Sequence, residues 1–196
     1  MARPRNFDID TAVAKATDVF WAHGYEGANL PDLLNGMGLT RGSLYKAFTD
    51  KKTLFLQALA HYEAIAVDPA VKLLTNDDIA EGSHRITKVF DGVLGVVRSG
   101  DHRGCMLCTA AAGPAAVDDD ISAAVHNALE KMHNAFEVAL AHSSTHGGHD
   151  AAHRSEVAHF LVTQYVGLRI QTLSRAPIER LDASVRALKD VVGITH

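Results

Sequence analysis

The sequence predicts an all-α chain of about nine helices, a three-helix N-terminal unit followed by a larger helical domain. Three observations carry this. Apolar residues recur at i, i+3 and i+4 through almost the whole chain, the period of one helix face. No stretch sustains the period-two alternation of a half-buried strand. The interruptions are short and made of Gly, Pro, Asn, Asp and Ser. With 196 residues, 47% hydrophobic and 21% charged, the chain can bury a sizeable core.

The helices can be justified in order. Over 8–23, Ile9, Ala12, Val13, Ala16, Val19 and Phe20 make a helical stripe that Gly24 ends. Asn29 caps a second helix, with Pro31 tolerated in its first turn and Asp32 at the third helical position. That helix carries Leu30, Leu33, Leu34 and Met37 and stops at Gly38. Thr40 caps a third helix only three or four residues later, the spacing of a helix-turn-helix. Asp50 caps a fourth, predicted over 50–66 with Leu54, Phe55, Ala58, Leu59 and Tyr62 inward. Asp68-Pro69 and the run 75–78 then break the chain. Helices follow over 79–98, 105–116, 120–142, 151–175 and 179–192, with loops at 99–104 and 143–149. Aspartates 118–120 read as the cap and N-terminal charge of their helix.

The third helix has two unlike faces. Leu44, Ala47 and Phe48 share one face and pack inward. Gly42 and Lys46 point directly away, with Arg41 and Tyr45 on one flank and Ser43 on the other. Glycine there costs about 1 kcal/mol relative to alanine, so its place implies close approach of something to the backbone. A helix lying in a DNA groove has that need.

The net charge is −4, but it is unevenly distributed. Residues 1–66 hold seven Lys/Arg and seven Asp/Glu, and residues 67–196 hold twelve and sixteen. Within 40–52, Arg41, Lys46, Lys51 and Lys52 face only Asp50. Arg3 and Arg5 form a short basic arm that could reach a minor groove. This suits a DNA-contacting end on a body that does not touch DNA.

Residues 9–55 resemble the DNA-binding domain of the TetR/AcrR family of transcriptional regulators. Phe20, Gly24-Tyr25, the run Leu33 to Leu39, the run Thr40 to Phe48, Lys51 and Leu54-Phe55 carry the resemblance. One departure is Ala28-Asn29, where the family has a hydroxyl residue followed by a small polar one, so a phosphate contact from position 28 is lost. The resemblance implies residues 1–50 as DNA-binding domain, helix 50–66 as connector, and 67–196 as effector-binding and dimerisation domain. It implies a repressor, working as a homodimer on a double-stranded DNA operator and released by a small-molecule effector. Arg41 and Lys46 are the candidates for base edges, and Gly42 admits the backbone. Ser43 and Tyr45 reach phosphate or a thymine methyl, while Asn29, Thr40 and Lys51 hold phosphates and Lys52 adds charge. The dimer would form through the last two long helices.

An effector pocket is expected among the helices of 79–175, with candidate linings Phe90, Leu94, Cys105, Met106, Cys108, Phe136, Phe160, Gln164 and Tyr165. Each reads more readily as plain core than as a ligand contact. Arg103-Gly104-Cys105-Met106-Leu107 is similar to the start of the sixth helix in one group of these regulators. The pair Cys105 and Cys108 stays open between structural core, oxidant or electrophile sensing, and a metal half-site. His142, His146, His149 and His153 crowd one loop, as solvated side chains or as partners of those cysteines in a metal-responsive alternative.

Other classes find little support. There is no Gly-rich phosphate loop after a strand, no H-E-x-x-H and no G-x-S-x-G, so neither an enzyme nor a cofactor is predicted. No apolar run approaches the roughly 18 residues of a membrane span. The N-terminus shows no apolar signal segment and two cysteines are no disulfide framework, so a cytoplasmic protein is expected.

Overall fold

Side-chain caps start the N-terminal helices where the sequence places them. In the computed structural model, which describes residues 7–193, Asn29 Oδ1 accepts from the Asp32 amide at 2.9 Å. Thr40 Oγ1 accepts from Ser43 N at 3.3 Å, and Asp50 Oδ1 from Thr53 N at 2.7 Å. These caps begin α2 (Leu30–Met37), α3 (Arg41–Ala47) and α4 (Lys51–Tyr62). Before them, α1 (Ile9–Gly27) keeps one further turn beyond the predicted stop. Gly24 still breaks it, at φ 70° and ψ 175°. Gly38, at φ 67° and ψ 33°, makes the left-handed turn between α2 and α3. Arg3 and Arg5 lie outside the described residues.

The three-helix unit closes over one aromatic and aliphatic cluster. Phe20 and Phe55 meet edge to face at 4.9 Å, and Leu33, Met37, Leu44 and Phe48 fill in around them, all buried. Burying Leu44 and Phe48 fixes the roll of α3 about its axis. Its opposite face must therefore point to solvent.

The fourth helix does not end as the sequence suggests. A π turn (Glu63–Val67) joins α4 to α5 (Asp68–Leu74), with no loop between. Pro69 explains the turn. A proline ring clashes with the carbonyl four residues before it, and the wider π geometry relieves that clash while the chain stays helical. The expected break at Asp68-Pro69 is therefore a π turn within one continuous helical run.

The rest of the body is α6 (Gly82–Arg98), α7 (Met106–Ala112), α8 (Asp119–Ala141), α9 (Ala151–Leu173) and α10 (Ile178–Val191). The predicted helix over 105–116 stops at Ala112, and a 3-10 turn (Pro114–Val117) leads to α8. Asp118 caps α8, accepting from the amides of Asp120 and Ile121. No strand occurs among the described residues. Counted with α4 and α5 as one rod, the described residues form nine helices, as expected.

Two cations tie the N-terminal unit to the body through three ion pairs. Lys52, in the first turn of α4, lies 2.8 Å from Asp118 and 2.7 Å from Asp120. Arg103, in the loop before α7, is 3.1 Å from Asp18 of α1 and stacks over the Trp21 ring at 3.8 Å.

Candidate nucleic-acid interface and effector cavity

The outward face of α3 is arranged as its sequence implies. Arg41, Gly42, Tyr45 and Lys46 are exposed, while Leu44 beneath them is buried. Neither Arg41 nor Lys46 has a carboxylate partner among the described residues. Arg41 stands 5.8 Å from the centre of the Tyr45 ring. Apart from its chain neighbours and the backbone of its own helix, no atom lies within 4 Å of where a Gly42 side chain would begin. The gap therefore serves no packing inside the molecule and is free for an approaching surface.

The predicted phosphate contacts divide into two groups. Asn29 and Thr40 are exposed and use only side-chain oxygens as caps, so the Asn29 amide group remains free. Thr40 also donates its hydroxyl to Ser43 Oγ at 3.0 Å. Lys51 is half-buried, its ammonium 4.8 Å from the Tyr25 ring centre, and burial lowers its pKa. Lys52 departs from expectation. Its charge is engaged by Asp118 and Asp120, whose hydrogen bonds raise its pKa, so it latches α4 to α8. Ala28 is fully buried, so a side chain at that position faces the core and not a DNA backbone.

The body contains a cavity of about 390 Å³ where the N-terminal unit meets it. Its walls are α5 and the π turn on one side, Val89, Gly92, Val93 and Val96 of α6 on another, and Tyr165 and Arg169 of α9. Trp21 of α1 closes it toward the three-helix unit. Of the residues expected to line a pocket, Tyr165 does so. Phe90, Leu94, Cys105, Met106, Cys108 and Phe136 are instead buried core. Phe160 and Gln164 stand on the exposed side of α9. The reason is helical phase: Phe160 and Gln164 share one face, and Tyr165 is turned about 100° from Gln164 with Arg169 one turn further along.

Cys105 occupies the N-cap position of α7, and both cysteines are free and buried. The Cys108 thiol donates to Cys105 and is the main cause that brings the Cys105 pKa down to about 6, against the opposing effect of burial. The Arg169 guanidinium, the Cys108 amide and the Tyr62 hydroxyl act in the same direction. Cys108 is pushed well above the ordinary thiol range by the same contact and by burial. The arrangement favours the Cys105 thiolate, the form that attacks electrophiles and oxidants.

The histidine loop is less open than its sequence suggests. His146 is buried, with Nε2 3.2 Å from the Val191 carbonyl, and the rings of His149 and His153 lie 4.2 Å apart. Among the described residues no three His, Cys, Asp or Glu side chains are placed to hold one metal ion. The metal-responsive alternative gains nothing from this geometry.

Sequence reasoning missed Trp21 and Arg169, and marked Arg103 only as part of a motif without its contacts to α1. Each acts across the chain, joining α1, the loop before α7 and α9, and no local pattern marks such a contact.

Comparison with known proteins agrees with this geometry. The family model for bacterial regulatory proteins of the tetR family matches residues 12–58. The HTH-type transcriptional repressor ComR of Escherichia coli is 45% identical over 60 residues, 31% of this chain and 29% of ComR, so the match spans under a third of that relative. A solved structure of the TetR family transcriptional regulator CifR, a cysteine mutant complexed with 26-base-pair operator DNA, superposes with a TM-score of 0.83 at 31% identity. The alignment covers 96% of this chain and 98% of that one. The reduced form of E. coli NemR shares the fold, with a TM-score of 0.79 at 19% identity over 95% and 98% of the two chains.

Proposed function

The chain belongs to the TetR family of bacterial transcriptional regulators, and from that premise we propose a repressor that binds a double-stranded DNA operator as a homodimer and leaves it when its body is modified or liganded. The observation that carries the DNA-reading role is the exposed face of α3, with Lys46 and Arg41 unpaired around the empty space at Gly42. In the major groove, Arg41 and Lys46 reach base edges and Tyr45 and Ser43 reach the thymine methyl or phosphate. Asn29, Thr40 and Lys51 hold the backbone on either side. Residues 1–50 form the reading unit, 50–66 connect, and 67–196 form the effector and dimer domain. Lys52 holds the two parts together and does not contact phosphate.

One reading unit covers few base pairs, so a dimer must place two copies about one helical turn apart. The free face of α9 offers the contact. Phe160 and Ile170 are 40% and 38% exposed there, on either side of Gly167, and Val191 of α10 is 46% exposed. Apolar side chains of that size, left uncovered around a small residue, suit a helix-to-helix interface.

Two inputs converge on the junction between the parts. The Cys105 thiolate can react with an electrophile or oxidant, and the cavity can take a ligand. Both touch elements that orient α1 and α4: Arg103 and Trp21 on one side, the π turn on the other. An effector acts by preferring one arrangement of these elements over the other. The test is DNA selected from a random pool and titrated with wild type and Lys46→Ala. We expect an inverted repeat, bound by wild type and lost by the variant while it stays folded. Equal affinity of the two proteins overturns the assignment of α3.

A further inference from the structure

Arg169 is a buried cation with no carboxylate to match it among the described residues, and the anion it faces is the Cys105 thiolate. It is 6% exposed, and no Asp or Glu lies within ion-pair distance among the described residues. Its Nη2 donates to the Tyr62 hydroxyl at 3.2 Å and to the Gly104 carbonyl, both neutral acceptors. Its Nε is buried with no partner at all. The other fully buried arginine differs, because Arg85 has Asp77 at 3.5 Å and two backbone carbonyls. A charge taken out of water is costly unless an opposite charge or a full set of hydrogen bonds meets it.

The cavity lies against this cation. Arg169 and Tyr165 stand on its α9 wall, and Trp21, whose indole N–H is also buried without a partner, closes one end. The remaining surface is aliphatic apart from Lys88, an exposed residue of α6, and Asp101. Asp101, the acid on the wall, is held in a fork by Arg103 at 2.8 to 3.2 Å and is not free to serve Arg169. A space with a buried cation that lacks a carboxylate, a second cation in Lys88, orphaned donors and apolar walls suits a molecule with a matching layout.

We propose that this cavity binds a small amphipathic carboxylate, its head on Arg169 and Tyr165 and its apolar tail along α5 and α6. The proposal deepens the reading of the chain as an effector-responsive regulator and rests on it. It also links the two inputs. Arg169 is among the groups that favour the Cys105 thiolate, so a carboxylate on Arg169 removes part of that support. Ligand binding and thiol ionisation then oppose each other, and the opposition is reciprocal.

The probes are octanoate and octanamide, nearly equal in shape and different in charge. Trp21 is the only tryptophan in the chain and lines the cavity, so its fluorescence reads binding with no DNA present. Octanoate is expected to saturate, and octanamide to bind about 10- to 100-fold more weakly, the value of a hydrogen bond to a charged group. Arg169→Met should lose that preference. Because Arg169 also holds Gly104, a second variant guards the test. Gly92→Leu projects from an exposed helical position into open space at the cavity wall, so it should fill the site and abolish octanoate binding with the fold intact. Bound octanoate should also raise the pH midpoint of Cys105 alkylation. Equal affinity for the two probes, unchanged binding by Gly92→Leu, or an unmoved midpoint with octanoate bound overturns the proposal. No arm reads operator binding, so failure here leaves the DNA-reading role standing, and failure of that role leaves these arms readable.

Discussion

The outward face of α3 and the interior around Arg169 both present cations without carboxylate partners, and the two cases mean different things. Lys46 and Arg41 are in water, where an unpaired charge costs little. Their isolation says nothing by itself; the exposed residues of any helical protein include many such cations. What gives them meaning is the geometry around them: a short helix rolled by Leu44 and Phe48, and a glycine gap that no internal packing needs. Arg169 needs no motif. Burial makes its lack of a carboxylate and its orphaned Nε energetically conspicuous, and the adjoining cavity says where a partner would sit. One site is recognised by pattern and the other by cost.

The contrast can be broken at several points. The largest effect is expected at α3, where Lys46→Ala should weaken binding to the selected duplex by about 10- to 100-fold, the value of a good base contact. A smaller effect is expected in the interior. Alkylation of Cys105 should rise with pH through a midpoint near 6, since the thiol is protonated below it and the thiolate present above. In Cys108→Ser, with a weaker thiol replaced by a hydroxyl donor, the midpoint should stay low. In Cys108→Ala the main cause of the shift is gone, and the midpoint should move up toward the ordinary thiol value of about 8.5. A midpoint unchanged in Cys108→Ala would remove the thiolate from the account. The smallest effect is expected for Lys52→Ala. As a latch to Asp118 and Asp120 it should change duplex affinity by no more than about twofold and leave the salt dependence of binding unaltered. A salt slope reduced by about one would return Lys52 to the phosphate contacts.

How much of this was legible in the sequence follows from the range of the interactions. The caps at Asn29, Thr40 and Asp50 and the turn at Gly38 act over three or four residues, and each was readable. The two faces of α3 follow from helical phase alone. The ion pairs of Lys52 lie beyond a local charge tally, because its partners are 66 and 68 positions away. The π turn before Pro69 was read as a break because proline permits either outcome, and packing decides. Phe160 and Gln164 fit the composition of a pocket, but which side of α9 faces inward depends on where Tyr165 and Arg169 find their neighbours. Arg169 has no sequence signal: a lone arginine in a long helix reads as surface.

The central claim is that α3 enters the groove backbone-first at Gly42. The most direct test is a fluorescence-anisotropy titration of the selected duplex with Gly42→Ala and Gly42→Leu beside wild type, each checked for an unchanged thermal midpoint or a raised one. Space is open at Gly42 inside the molecule, so both variants should fold and neither should lose stability. The account predicts that leucine abolishes sequence-specific binding and that alanine weakens it less. Wild-type affinity in Gly42→Leu would contradict it.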